Sequence, residues 1–177
     1  MPNYQGQLDG LCGPYAIVNA FERCGYEDNE MLFKAACEAS AARRWPTLLW
    51  VGTSFGDLKK MVTNCRKALG GAPELKVSYP FASKIPPSPA EYWKRFDALF
   101  AERPNACCMI VGITRPSSHW IVAYREGKGT RITFVDTDPH KPYQRKNRSM
   151  LHPGVRNGHP KKWIIEKSEL ILFEVEQ

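Results

Sequence analysis

Residues 5–20, QGQLDGLCGPYAIVNA, place one cysteine between a glycine-rich polar run and an apolar pattern with helical spacing. From residue 12 to residue 24 the apolar side chains recur every three or four positions, which predicts a helix. Pro14 fits its first turn, where the missing N–H breaks no hydrogen bond. Cys12 therefore stands at the start of a helix. It is either a small buried apolar residue or a nucleophile.

The rest of the chain predicts helices first and strands afterwards. Ser54 with Asp57, and Ser88 with Glu91, have the spacing of helix N-caps. This order is typical of an α+β fold, and the length of 177 residues indicates a single domain over 1–177. The predicted helices are 12–24, 29–43, a third from Thr53 or Ser54 to about 69, and 89–102, and the predicted strands are 75–81, 106–114, 120–124, 131–136, 163–165 and 170–175.

A cysteine nucleophile needs a partner that takes up or donates protons, and histidine is the usual one. The chain has four histidines, and three of them lie in a segment rich in basic residues, Pro and Gly. His119 differs, because it stands at the beginning of a predicted strand in SSHWIVAY. A side chain at a strand end projects from a rigid frame, which suits a catalytic base. The alternative is a structural histidine bonded to the backbone.

A third group would orient the histidine and stabilise its charged form. The predicted strand that follows, RITFVDTDP, ends in Asp136 and Asp138. A turn at residues 126–129 would pair this strand antiparallel with the His119 strand and bring Asp136 near His119. Alternation along the strand places Asp138 on the same face. We favour Asp136, which still belongs to the strand, and keep Asp138 as the alternative.

Hydrolysis of an acyl group also needs donors for the oxyanion. The backbone N–H of Cys12 is one candidate. A side-chain amide upstream would supply the second, and both Gln5 and Gln7 qualify.

These pieces, taken in order, resemble the papain-like cysteine peptidase superfamily. The matching residues are Gln5 or Gln7, Cys12-Gly13, His119-Trp120 and Asp136. The order and the compact length are most similar to the bacterial branch related to peptidases that remove bacteriocin leader peptides, often called C39-like. That family places its glutamine six residues before the cysteine, a position held here by Gly6. Of the two neighbouring glutamines we favour Gln5.

The resemblance implies a Cys12–His119–Asp136 triad that cleaves a peptide or isopeptide bond through a thioester, with Gln5 in the oxyanion hole. The same groups support deamidation or acyl transfer, which is the first alternative. A catalytically inactive protein-binding module on the same scaffold is the second. The resemblance implies a single domain with an α+β fold. In this fold the nucleophile lies on a helix, and the His and Asp lie on an antiparallel sheet.

The net charge of +7 comes from one segment. Residues 140–162 contain seven Lys or Arg and no acidic residue, and the remaining 18 basic residues balance 18 acidic ones. We interpret this segment as a solvated basic loop. Two sharper interpretations stay open: a flap that recruits an acidic peptide or protein substrate, and a nucleic-acid contact. We rank nucleic acid last, because no nucleic-acid motif accompanies the charge.

The six cysteines contain no C-x-x-C pair, so we expect no zinc site. No phosphate loop or dinucleotide fingerprint is present, and we expect no cofactor. No apolar run is long enough to span a membrane, and the first residues lack the pattern of a signal peptide. We therefore expect a cytoplasmic protein of bacterial type with reduced thiols, and the sequence does not determine its oligomeric state.

Overall fold

A computed structural model describes residue 2 and residues 10–102, 105–126, 131–138, 140, 142–154 and 162–176. Gln5, Gln7 and most of the turn predicted at 126–129 lie outside the described residues. Helices fill the first part of the chain and strands the second, so the α+β prediction is confirmed. The helices are α1 (Cys12–Arg23), α2 (Asn29–Glu38), α3 (Trp45–Val51), α4 (Phe55–Ala68) and α5 (Pro89–Ala101).

Side-chain caps define where three of the helices begin. Asp28 accepts a hydrogen bond from the backbone of Met31 and caps α2. Ser54 caps α4 in a reciprocal capping box with Asp57, and Ser88 caps α5. The spacing of Ser54 and Asp57 in the sequence therefore predicted the start of α4 correctly.

Seven strands form one sheet in the spatial order β1-β7-β2-β3-β4-β5, with β6 pairing β7. All pairs are antiparallel except β6 with β7, which is parallel. The strands are β1 (Leu75–Ser78), β2 (Ala106–Arg115), β3 (His119–Tyr124), β4 (Arg131–Val135), β5 (Tyr143–Asn147), β6 (Leu151–Pro153) and β7 (Trp163–Val175).

Helices cover both faces of this sheet. Apolar side chains of α1, α2 and α4 pack against one face, which includes Ile110 and Val122 of the central strands. Side chains of α5 pack against the other face, which includes Met109 and Ile121. Successive residues of a strand point to opposite faces, so a strand buried on both sides is apolar throughout. The continuous apolar run in β2 reflects this.

The structure corrects several predicted boundaries. Helix α2 ends at Glu38 rather than at 43, because Ala41 is extended and a 3-10 turn, Ala42–Arg44, follows. Helix α3 is absent from the prediction, although Pro46 in its first turn is a start signal. Strand β1 ends at Ser78, before Pro80. The two last predicted strands are one strand, β7.

The basic segment is also more ordered than predicted. We expected a loop or flap over 140–162, but residues within it form β5 and β6. Strand β5 lies at the edge of the sheet, and its exposed and half-buried residues alternate. Charged side chains are common on edge strands because they oppose pairing with another chain. Because β5 is rich in charged and polar residues, its sequence lacks the apolar alternation by which a strand is predicted.

Candidate active site

Cys12 is the first residue of α1 and is 8% exposed. The residue before it, Leu11, makes no side-chain cap, and the first backbone N–H groups of a helix have no partner within the helix itself. They also carry the partial positive charge of a helix N-terminus. The Cys12 sulfur thus lies at a position that favours negative charge.

Two glycines hold Cys12 close to the segment that connects α3 to α4. The Gly10 backbone N–H donates to the Leu49 carbonyl at 2.6 Å. A Cβ on Gly13 would lie 2.1 Å from Thr53 Oγ1, closer than any side chain tolerates. Glycine at these positions lets the turn around Cys12 approach its neighbours directly.

His119 begins β3 and Asp136 directly follows β4, the next strand of the sheet. His119 Nε2 lies 2.8 Å from Asp136 Oδ1. The antiparallel pairing of β3 with β4, which the sequence predicted, brings the two residues together. With Nε2 engaged by Asp136, the other ring nitrogen is the one left to face Cys12, which lines the same cavity as His119.

These contacts set the protonation of His119. Burial lowers the pKa of His119, but hydrogen bonds to Asp136 and Cys12, together with their negative charges, outweigh it and raise the pKa to about 9. Burial raises the pKa of Asp136, and the bonds to His119 and to backbone N–H groups more than compensate, so its pKa stays below the usual range. At neutral pH the pair is therefore an imidazolium bonded to a carboxylate.

Asp136, and not Asp138, is the carboxylate beside His119. Asp138 is exposed; its backbone N–H donates to Asp136 at 3.1 Å, and its carboxylate accepts from the backbone of His140. The geometry thus favours Asp136, the candidate that we preferred from the sequence.

Gln144 is a residue that the sequence analysis missed. Its side-chain amide donates to Asp136 Oδ2 at 3.0 Å, from strand β5. It lies in the basic segment that we interpreted as a loop, and only the pairing of β4 with β5 brings it to the site. No motif in the sequence marked it.

Trp120 forms part of the wall on the α4 side. Its indole Nε1 donates to the Thr53 carbonyl at 2.8 Å, and its ring stacks on Phe55 with centroids 6.1 Å apart. Trp120 is 7% exposed and packs into the apolar core between the sheet and helices α1, α2 and α4. This fixes the strand beside His119.

Cys12 and His119 open into a cavity of about 370 Å³, which we call the Cys12 cleft. Its walls combine aromatic and aliphatic side chains with the hydroxyls of Thr53, Ser54, Thr114 and Ser118. Trp50 and Val51 at the end of α3 are 74% and 80% exposed there. A cleft of this size accommodates a few residues of an extended chain. Its lining includes Cys12, Trp50, Val51, Phe55, His119 and Trp120.

The second oxyanion donor stays a prediction. Gln5, which we favoured, and Gln7 both lie outside the described residues, so the structure places neither. Among the described residues, no group of three His, Cys, Asp or Glu side chains could hold a metal ion. Over the same part of the chain, no helix has the length and apolarity needed to cross a membrane.

Comparisons with known proteins bear on the fold. No family model matches this sequence, and no curated protein matches it. The peptidase domain of Streptococcus ComA, described as a bifunctional ABC transporter in a quorum sensing pathway, superposes with a TM-score of 0.51. The match covers 99% of this chain and 97% of that domain at 14% identity. The fold is that of a papain-like peptidase domain.

This likeness confirms the α+β peptidase-domain fold that the resemblance implied. Helices in the first half and a sheet in the second are shared over nearly the whole of both chains. At 14% identity the papain-like fold is what the comparison establishes, and the chemistry has to be argued from the side chains.

Proposed function

We propose that this protein is a cysteine hydrolase that cleaves a peptide or isopeptide bond in a peptide or protein substrate. The observation that supports it most is the position of His119, which bonds Asp136 at 2.8 Å and lines one cavity together with Cys12. A nucleophile, a base and a group that orients the base are the three parts that acyl transfer by cysteine requires.

The roles follow from the contacts. The Cys12 thiolate attacks the carbonyl carbon, and the Cys12 backbone N–H, with Gln5 as the proposed second donor, stabilises the oxyanion. The His119 imidazolium then gives its proton to the leaving amine as the carbon–nitrogen bond breaks, leaving a thioester on Cys12. Neutral His119 next takes a proton from water, whose oxygen attacks the thioester and releases the acid. Asp136 keeps the ring oriented throughout.

The environment of His119 supports a reaction that starts from a Cys12 thiolate and a His119 imidazolium. Because the pKa of His119 is raised to about 9, the ring holds its proton at neutral pH and places a positive charge beside the Cys12 sulfur. A positive neighbour favours the thiolate, which is the reactive form.

The substrate class is a further part of the proposal. We propose that the basic segment recruits an acidic protein, with Arg145 of β5, which is exposed and pairs with Glu126, among its surface charges. A cytoplasmic protein acting alone or as part of a multi-protein system is the setting that we propose for it.

Cleavage of a mixed peptide library by the wild type and by Cys12→Ala, read by mass spectrometry, tests the proposal. We expect new fragments with the wild type and none with the variant. A mass gain of about one dalton on intact peptides, dependent on Cys12, would instead show deamidation. A Cys12→Ala protein with undiminished biological activity would support an inactive binding module and contradict hydrolysis.

A further inference from the structure

Strand β7 has a large bulge at the Cys12 cleft. Val111 of β2 pairs with Leu170, and Ile113 pairs with Ile165. The intervening β7 residues, 166–169, therefore lie opposite a single residue of β2, Gly112. Bulges of this kind redirect side chains and are frequent beside active sites.

The bulge directs the Glu169 side chain into the Cys12 cleft. Glu169 Oε2 lies 2.7 Å from the point that a Cβ on Gly112 would occupy, and the Trp120 ring lies 3.1 Å from the same point. Gly112 pairs with Trp120 across the sheet, and the next pair contains His119. Only glycine at position 112 leaves room for this carboxylate, which shares the cleft with Cys12 and His119.

The two glutamates of the bulge differ in their partners. Glu166 accepts hydrogen bonds from the backbone and the hydroxyl of Ser168, at 3.4 and 3.1 Å. Glu169 makes no hydrogen bond or ion pair with another of the residues that the structure describes. Burial, and then the charge of Glu166, raise the pKa of Glu169, as expected for a carboxylate without a cationic partner.

The rest of the lining suits a cation. Glu169 is the one carboxylate among the described residues that line the Cys12 cleft, and no Lys or Arg lines it with them. Trp50, which is 74% exposed, contributes an accessible aromatic ring, whose face attracts cations. A positive group of the substrate would gain both an ion pair and an aromatic contact here.

We propose that Glu169 is a specificity residue that binds a cationic group of the substrate next to the bond that Cys12 attacks. The group is an ammonium or guanidinium, from a Lys or Arg side chain or from the substrate's own α-amine. This inference rests on the proposed function. It concerns only the substrate group that enters the Cys12 cleft. The basic segment would recruit a different, acidic part of the same substrate.

Reactive peptide probes test this without a known substrate. Dipeptidyl chloromethyl ketones would carry Lys, norleucine or Glu at either position, each with a free or an acetylated amine. The rate at which each probe alkylates Cys12 is measured by intact mass in the wild type, in Glu169→Gln and in the control Glu166→Gln. Alkylation by iodoacetamide measures the reactivity of Cys12 without any recognition.

We expect the wild type and Glu166→Gln to react at least tenfold faster with one cationic probe than with its neutral counterpart. Glu169→Gln should lose this preference while its reaction with iodoacetamide is unchanged. Preference for Lys in acetylated probes would identify a side chain, and preference for the free amine alone would identify the α-amine.

Suppose that iodoacetamide alkylates Cys12 of the wild type but all peptide probes react with it at equal rates. This result would overturn the inference and leave the proposed function standing. A preference that survives in Glu169→Gln would also overturn it. A Cys12 inert to iodoacetamide would refute the proposed function, and the inference with it.

Discussion

His119 Nε2 lies 2.8 Å from Asp136 Oδ1, although the two residues are 17 positions apart in the chain. The antiparallel pairing of β3 with β4 creates this contact, and it leaves the other side of the ring for Cys12.

Replacing Asp136 with Asn should lower kcat/KM by roughly 10²–10⁴-fold, because His119 is then no longer held in the orientation that its proton transfers require. The negative charge of Asp136 contributes to raising the pKa of His119 to about 9. Without it the imidazolium loses its proton at lower pH. We therefore expect the alkaline limb of the pH–rate profile, near pH 9 in the wild type, to move to lower pH. A profile with an unchanged alkaline limb would show that Asp136 does not act through His119.

Gln144→Leu should reduce kcat by roughly 10- to 100-fold, because a hydrogen bond to a charged group contributes about 1.5–3 kcal/mol. The amide of Gln144 donates to Asp136 Oδ2 and holds the carboxylate towards His119. As Gln144 acts through Asp136, KM should change little. Asn147→Ala, at the exposed end of the same strand, is the control and should keep full activity. Equal kinetics for both variants would contradict a positioning role for Gln144.

Gly13→Ala should impair activity by displacing the turn that carries Cys12. The added Cβ would lie 2.1 Å from Thr53 Oγ1 and 2.9 Å from a methyl carbon of Leu58. We expect slower alkylation of Cys12 and a lower melting temperature. Gly56→Ala is the matched control, since its Cβ would meet only Ser54 at 3.7 Å. The account fails at this point if Gly13→Ala and Gly56→Ala behave alike.

Asp57→Asn should destabilise the protein by about 2 kcal/mol, as expected when a buried, hydrogen-bonded charge is removed. Asp57 bonds the Arg44 guanidinium and completes the cap of α4. The Arg44 hydrogen bonds outweigh burial and lower the pKa of Asp57 to about 2. Its stabilisation is thus complete above its ordinary pKa of 3.8 and is lost as the pH falls towards 2.

Thermal unfolding at pH 7 and at pH 2 measures this. The difference between wild type and Asp57→Asn should be large at pH 7 and small at pH 2. Asp28→Asn is the control, because asparagine caps a helix as well as aspartate does. A difference independent of pH would mean that the charge of Asp57 is not what stabilises the fold.

The sequence was informative where a local rule operates. The helical period after Cys12 and the Ser54 and Ser88 caps predicted three helix starts, and the pairing of β3 with β4 placed His119 beside Asp136. Each of these depends on neighbouring residues or on one turn. The preference for Asp136 over Asp138 rested on Asp136 belonging to the strand; that premise is wrong, because β4 ends one residue earlier, at Val135.

What the sequence left out depends on contacts between distant segments. Gln144 reaches Asp136 only because β5 adds to the edge of the sheet, and its basic neighbours resembled a loop. Glu169 enters the Cys12 cleft only because β7 bulges opposite Gly112. Neither position differs in the sequence from ordinary surface residues, so no periodicity could mark it.

The reactivity of Cys12 tests the central claim most directly. Cys37 and Cys65 are poor competitors, since burial raises the pKa of Cys37 to about 11 and that of Cys65 to about 12. Limiting iodoacetamide is applied from pH 4 to pH 9 to wild type and His119→Ala, and the alkylated residue is mapped by mass spectrometry. We predict that Cys12 reacts first, that it still reacts well below a free thiol's pKa of about 8.5, and that this low-pH reactivity disappears in His119→Ala. Alkylation of Cys12 no faster than that of the other cysteines, or unchanged without His119, would contradict the account.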